Sequence, residues 1–317
     1  MTRAAVGAML LSAVVLPAAI AAEPPAPAVS GDAEVRAPAG DSEIVIRTTS
    51  RLAGAIDSLT WRGREFIDSH DHGRQLQSAS NWDVGGDLHA ETFNPTEAGC
   101  ERDGAGPTST SRLLWLGAHG RDLQTVSQMA FWLRPGQQSG GHPARNTVAL
   151  SNHLLQKHVR LGADHLAPPL GGHAIRYDVT FTVPAGEGHR QGVFEVLTGY
   201  MPPAFRRFHA LRADGRLEPL TDGPGEQPLP VIVATGGGDY AMGAWSPAVS
   251  RTTGRPATYG RFWFERERVS KWNAVIRETA PAGTTLEPGV HAHRVWVAVG
   301  TLEDVRQTLV ALRAAGR

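Results

Sequence analysis

"AGAIDSLTWRGREFID", residues 53–68, holds two short apolar pieces, Ala55 to Trp61 and Phe66 to Ile67, around the polar pair Arg62-Gly63. Apolar runs this short, broken by a Gly-containing turn, spell a β-hairpin. The same grammar recurs outward from it. "EIVIRTT" (43–49) precedes it, and "RLLWLGAHG", "LQTVSQMAFWLRPG", "NTVALSNHLLQKHVRLG", "AIRYDVTFTVPAG", "GVFEVLTGYMP", "PLPVIVATGGGDYAMGAWSP" and "GVHAHRVWVAVG" follow, most of them bounded by Gly or Pro. They are rich in Val, Thr and aromatic residues and alternate inside with outside positions, as half-buried antiparallel strands do. "FWFERERVSKWNAVIRE" (262–278) reads as one long central strand with a wet face.

With 36 Gly and 22 Pro in 317 residues, the chain favours many short strands over long helices. One helix is expected, at the end, in "TLEDVRQTLVALRAAG" (301–316). Thr301 caps it, Glu303 and Asp304 suit its positive end, and Leu302, Val305, Leu309 and Leu312 share a face. It should act as a lid on sheet edges. A dozen or more strands in some 275 residues exceed an immunoglobulin sandwich. The expected fold is therefore all-β, a large antiparallel two-sheet β-sandwich with a short C-terminal helix.

Residues 1–22 carry a charge at Arg3, an apolar run and small residues at Ala19, Ala21 and Ala22, the pattern of a cleaved signal peptide. Residues 23–42, rich in Pro, Ala and Gly without a period, read as a disordered linker, and 43–317 as a single sandwich domain. Periplasmic or secreted localisation follows, with no membrane contact after cleavage. Lys plus Arg and Asp plus Glu number 31 each, so nucleic acid is not an expected partner. Cys100 stands alone and cannot form an internal bridge.

The densest polar region runs from Asp68 to Asp103. In "DHGRQLQ" (71–77) an extended chain would place His70, His72, Arg74 and Leu76 on one face and Gln75 and Gln77 on the other. Trp82 lies in "SNWDVGGDLHAETF", and "NPTEAG" (94–99) holds Glu97 in a compact loop. Forked polar groups around an aromatic suit a saccharide, whose hydroxyls need paired donors and acceptors while its C–H face stacks on a ring. The expected catalytic set is Glu97 as acid/base, His72 as its partner and Arg74 for an anionic substituent. His70, Gln75, Gln77, Trp82, Asn94 and Trp272 are the expected substrate-binding residues, with Lys271 an alternative to Trp272 and Tyr200 read as a strand exit. Asp83, Asp87, Glu91, Glu97 and Asp103 could supply a glycosidase-type acid pair. No metal or cofactor is assigned. "HDH" (70–72) and "HAH" (291–293) leave a metal-dependent hydrolase as an alternative, and "GGGD" (236–239) reads as a hairpin turn.

Together, "GAIDSLTWRGREFID", "YDVTFTVPAG", "AMGAWSP" and "HRVWVAVGTLEDV" resemble the galactose-mutarotase-like (aldose epimerase-like) supersandwich class over residues 43–317. The resemblance implies a sugar-binding concave face and, in epimerase members, a His acid with a Glu base. The function expected is that of an exported carbohydrate-active protein working by acid/base chemistry, as an epimerase, polysaccharide lyase or glycosidase-like enzyme. A non-catalytic glycan-binding or envelope protein is the alternative.

Overall fold

From Tyr177 to Val183 alternate residues are buried, with Tyr177, Val179, Phe181 and Val183 inside and Asp178, Thr180 and Thr182 facing outward. That period of two repeats over Leu150–Leu161 and most of Asp122–Phe131 of the computed structural model, which describes residues 29–316, whereas Val231–Ala234 and Ala241–Ala244 are buried on both faces. The proposed signal peptide lies outside the described residues. In chain order the strands begin with β1 (Ala33–Ala39), β2 (Ser42–Thr48), β3 (Ile56–Trp61), β4 (Arg64–Glu65), β5 (Leu76–Trp82), β6 (Pro95–Thr96) and β7 (Arg112–His119). They continue as β8 (Asp122–Phe131), β9 (Gln138–Ser139), β10 (His142–Pro143), β11 (Leu150–Leu161), β12 (Ala174–Val183), β13 (Gln191–Met201) and β14 (Phe205–Leu211). Then come β15 (Leu217–Leu220), β16 (Gly225–Gln227), β17 (Val231–Thr235), β18 (Ala241–Trp245), β19 (Thr258–Phe264), β20 (Val269–Thr279) and β21 (Gly289–Gly300), before helix α1 (Leu302–Ala315).

All pairings are antiparallel and trace two layers. The first sheet runs β1-β2-β3-β5-β13-β20-β19-β16, with β4 paired to β3. The second runs β7-β8-β11-β12-β21-β18-β17-β14-β15. The two-residue β6 joins them, pairing Thr96 with Ala79 of β5 and with Ala130 of β8. One apolar cluster fills the space between the layers, from Ile46, Trp61, Phe194 and Trp272 on the first sheet to Leu155, Phe181, Val233 and Val297 on the second. The contact is direct: Phe181 and Phe194 lie 4.9 Å apart across the gap.

Three expectations are corrected here. The stretch expected to be linker to residue 42 contains β1, which pairs from Ala33↔Thr48 to Ala39↔Ser42 and buries Val35 and Ala39. Two inward side chains among Pro and Ala gave the period little to show. Residues 262–278 are a hairpin: Arg268 takes a left-handed conformation (φ 54°), and Phe264 pairs with Val269. Helix α1 covers a sheet face instead of sheet edges, burying Val305, Leu309 and Leu312 against Ile232, Ala241 and Ala298. Its capping box is as read, Thr301 Oγ1 accepting from Asp304 N at 3.2 Å while Asp304 accepts from Thr301 N at 3.0 Å. Among the described residues no helix is long and apolar enough to cross a membrane.

Candidate functional site

Chain register puts a set of polar and aromatic side chains on the outer face of the first sheet. Tyr200 of β13 pairs with Lys271 of β20, which pairs with Phe262 of β19, so the three form one cross-strand row. The Lys271 ammonium sits 5.4 Å from the centre of each flanking ring, and Phe262 stacks on Phe264 at 6.1 Å. The next row holds Gln77, Thr198, Asn273 and Gly260. Glu195 joins the same face because a bulge between Glu195 and Leu197 shifts the register.

Electrostatics bind these groups into one unit. Lys271 Nζ lies 3.4 Å from Glu195 Oε2, and Thr198 Oγ1 donates to that oxygen at 2.7 Å. Burial alone would raise the Glu195 carboxyl, but Lys271, Thr198 and Asn273 outweigh it and hold the group below its usual range. Burial would likewise lower Lys271, yet Glu195 and Tyr200 carry it above its ordinary value. Burial raises the Tyr200 phenol, with Lys271 opposing. At neutral pH the face thus presents a carboxylate, an ammonium and a neutral phenol. Lys271 and Glu195 keep 15% and 24% of their side-chain surface exposed, so a ligand can reach both. Asn81, one row further on, has a buried Oδ1 without a hydrogen-bond partner.

Residues 70–75, expected to be extended, form a turn. Gly73 N donates to Asp71 Oδ1 at 2.9 Å and Arg74 N to Asp71 O at 3.3 Å, so the two-face alternation starts only at Leu76. The turn is tied to Tyr200 from both sides, through Tyr200 N to Gln75 O (3.2 Å) and Asp68 N to Tyr200 O (2.8 Å). Arg74 is ion-paired there with Asp71 at 2.8 Å and faces Asp68 at 3.7 Å. His70 is exposed.

Several other expected residues are engaged inside the protein. Glu97 is sealed between the sheets, 2.5 Å from Lys157 Nζ, with 1% and 0% of the two side chains exposed, and it accepts from Ser78 N at 3.0 Å. The two ring nitrogens of His72 lie 2.7 Å from Gly104 O and 2.9 Å from Arg51 O. Gln77 donates to Gly73 O at 3.0 Å, Gln75 donates to Asp71 O, and Asn94 donates to Ser80 O at 2.9 Å. Trp82 and Trp272 are core residues, Trp82 stacking on His189 at 5.0 Å. Of the expected set, Arg74 and Gln77 flank the outer face, and Glu97 is held with Lys157 in the interior. The His-x-His pairs stay apart in role: His72 serves backbone carbonyls, while His291 and His293 each pack 5.0 Å from Phe194.

Sequence reading missed Glu195, Thr198 and Asn273 and set Tyr200 aside. A lone carboxylate in the apolar run "VFEVL" was the available signal. A period of two cannot put Glu195 and Thr198 on one face, because only the bulge does so. Elsewhere, a cavity of about 480 Å³ opens on the outer face of the second sheet, beside Asp178, His293 and Arg294. There the Asp178 and Arg294 side chains close on each other at 2.6 and 3.0 Å.

Fold and face define a large antiparallel two-sheet sandwich with one short C-terminal helix and an open polar and aromatic surface on the first sheet. No protein-family model matches the chain, and no curated protein matches it. Among solved structures it is similar to the alpha-galactosidase from Lactobacillus brevis, with a TM-score of 0.44 and 9% identity over 88% of this chain and 41% of that one. It is similar also to the Slr1438 protein from Synechocystis sp. (0.43, 10% identity, 85% of this chain and 96% of that one). A third is described as a "putative aldose 1-epimerase" from Klebsiella pneumoniae (0.40, 9% identity, 86% and 83%). The chain spans less than half the length of the galactosidase.

Proposed function

We infer that this is an exported carbohydrate-active protein whose saccharide docks on the outer face of the first sheet. The observation that carries the reading is the row Tyr200, Lys271 and Phe262 with Glu195 against Lys271 on an accessible surface. A pyranose needs an apolar ring for its C–H face and charged or forked groups for its hydroxyls. Phe262 and Phe264 supply the first. Glu195 supplies an ionised acceptor, Lys271 a cation and Tyr200 a neutral donor.

Acid/base chemistry needs a proton donor, an acceptor and charge stabilisation at the reacting oxygen. Here Tyr200 is placed to donate, Glu195 to accept, and Lys271 to stabilise negative charge on a ring or glycosidic oxygen. The Glu195–Lys271 pairing also favours a second reading, a non-catalytic glycan-binding protein, since a carboxylate held low by its partner is a weak base.

Calorimetry on a panel of neutral and uronic saccharides, with mass spectrometry for products, tests both. A hydrogen bond to a charged group contributes about 1.5–3 kcal/mol, so Lys271→Met and Glu195→Gln should each weaken binding ~10- to 100-fold. Wild-type affinity in both variants would remove the ligand from this face. Binding without product would select the second reading.

A further inference from the structure

At one end of the sandwich, away from the face above, two imidazoles and a carboxylate converge. His153 points inward from β11, and Glu187 and His189 come from the connection between β12 and β13. His153 Nε2 lies 2.8 Å and His189 Nε2 2.7 Å from the same oxygen, Glu187 Oε2, and all three ligand-competent atoms fall within 4.8 Å of one another. His153 and His189 are buried, with 1% and 4% of their side chains exposed, whereas Glu187 keeps 22%.

The second observation is the contact made by the other ring nitrogen of His189. Its Nδ1 lies 2.7 Å from Asp83 O, and a ring nitrogen facing a carbonyl must donate. In the neutral ring Nε2 is then a bare lone pair, aimed at a carboxylate oxygen 2.7 Å away. Two acceptors cannot share that distance unless a positive charge lies between them, either a proton or a metal ion. A donated Nδ1–H with a free Nε2 is the arrangement that orients metal-binding histidines. The ring is held further by Trp82, stacked on it at 5.0 Å. A cavity of about 180 Å³, lined by Trp82, His189, Leu286 and Pro288, adjoins it.

We propose that His153, Glu187 and His189 form a binding site for one divalent cation of the zinc class, clamping the β12–β13 connection to β11. Two imidazoles and one carboxylate suit zinc and disfavour calcium or magnesium, which take oxygen ligands. Ligand bonds of about 2.0–2.2 Å in a tetrahedron need ligand atoms roughly 3.4 Å apart, so the carboxylate has to withdraw by less than ~1 Å and the two imidazole nitrogens, within 4.8 Å of each other, have to close by up to about 1.4 Å. The fourth position falls to water.

The experiment uses the untagged chain, stripped with a chelator and titrated with Zn²⁺ by calorimetry and with Co²⁺ by visible absorption. One equivalent per chain and a tetrahedral cobalt spectrum are expected. Glu187→Gln and His153→Gln should each raise Kd at least ~10-fold, while His142→Ala, which removes the exposed ring stacked on half-buried His89 at 3.5 Å, should leave it unchanged. Absence of saturable binding overturns the site, as does wild-type affinity in Glu187→Gln or loss of binding in His142→Ala. Should His153→Gln not fold, the partly exposed Glu187 position alone decides.

Discussion

Lys157→Met tests whether the Glu97–Lys157 pair is a structural element of the interior. The ammonium lies 2.5 Å from Glu97 Oε1 and donates to Gly54 O at 3.1 Å, with neither charged side chain more than 1% exposed. Glu97 also accepts from Ser78 N, and its own N–H donates to Ser78 O at 3.1 Å. Removing the cation leaves a buried carboxylate with only the Ser78 N–H and the Tyr177 hydroxyl beside it, a change that costs about 3–5 kcal/mol in comparable buried pairs. Gly54 O loses a donor as well. Glu97→Gln in the same background removes the uncompensated charge and keeps the acceptor for Ser78 N. The double variant should therefore be more stable than Lys157→Met alone, with a coupling energy of about 1–3 kcal/mol. Urea denaturation of the four members of the cycle reads this directly. A Lys157→Met cost below ~1 kcal/mol, or strict additivity in the double variant, would refute the reasoning. A Glu97→Gln protein of unaltered stability that loses turnover would instead return Glu97 to the acid/base role that its sequence setting suggested.

His293 is pushed down to about 4, mainly by burial and then by the neighbouring His291 ring, from an ordinary value of 6.5. Between those values the unfolded chain binds the additional proton, so stability falls as pH drops from about 6.5 to 4, by up to ~3 kcal/mol below the window. His293→Leu should flatten that part of a plot of urea midpoint against pH, and an unchanged slope there would contradict a ring buried in its neutral form. Gly199 is the floor beneath Trp272: a Cβ there would stand 2.6 Å from Trp272 Cε2 and Nε1. Gly199→Ala should cost about 1–3 kcal/mol in denaturation, and Trp272→Phe in that background should recover part of it.

Strands with a dry side and a wet side were legible because period two survives wherever one face packs and the other does not. The hairpin at Arg62-Gly63, the turn at Gly236–Asp239 and the capped final helix all lie where the sequence puts them. β1 was illegible for an energetic reason: it buries little, and its place comes from seven paired residues on β2. The hairpin of β19 and β20 was hidden because its turn carries Glu265, Arg266, Glu267 and Arg268 where Gly or Asn would advertise it. The outer face was half legible. Lys271 and Gln77 were singled out, but Glu195 and Thr198 meet only through a bulge, and no local pattern encodes that.

The polar density between Asp68 and Asp103 has a cause in the topology. This segment carries the chain from the first sheet to the second, through a bridge of only two residues, Pro95–Thr96. Away from regular pairing, buried backbone groups still need partners, and side chains provide them. Asp83 accepts from Arg190 N and Gln191 N at 2.7 and 2.6 Å, and Asp103 accepts from Cys100 N and Thr110 N at 2.8 Å each. Ser111 Oγ donates to Thr96 O at 2.9 Å and accepts from Ala130 N at 2.8 Å, binding the bridge to its neighbours. A seam between sheets and a ligand site therefore draw on the same residue types. What separates them is access: in the seam the forks are turned inward onto backbone groups, whereas on the outer face Lys271 and Glu195, although paired with each other, keep part of their surface open to solvent.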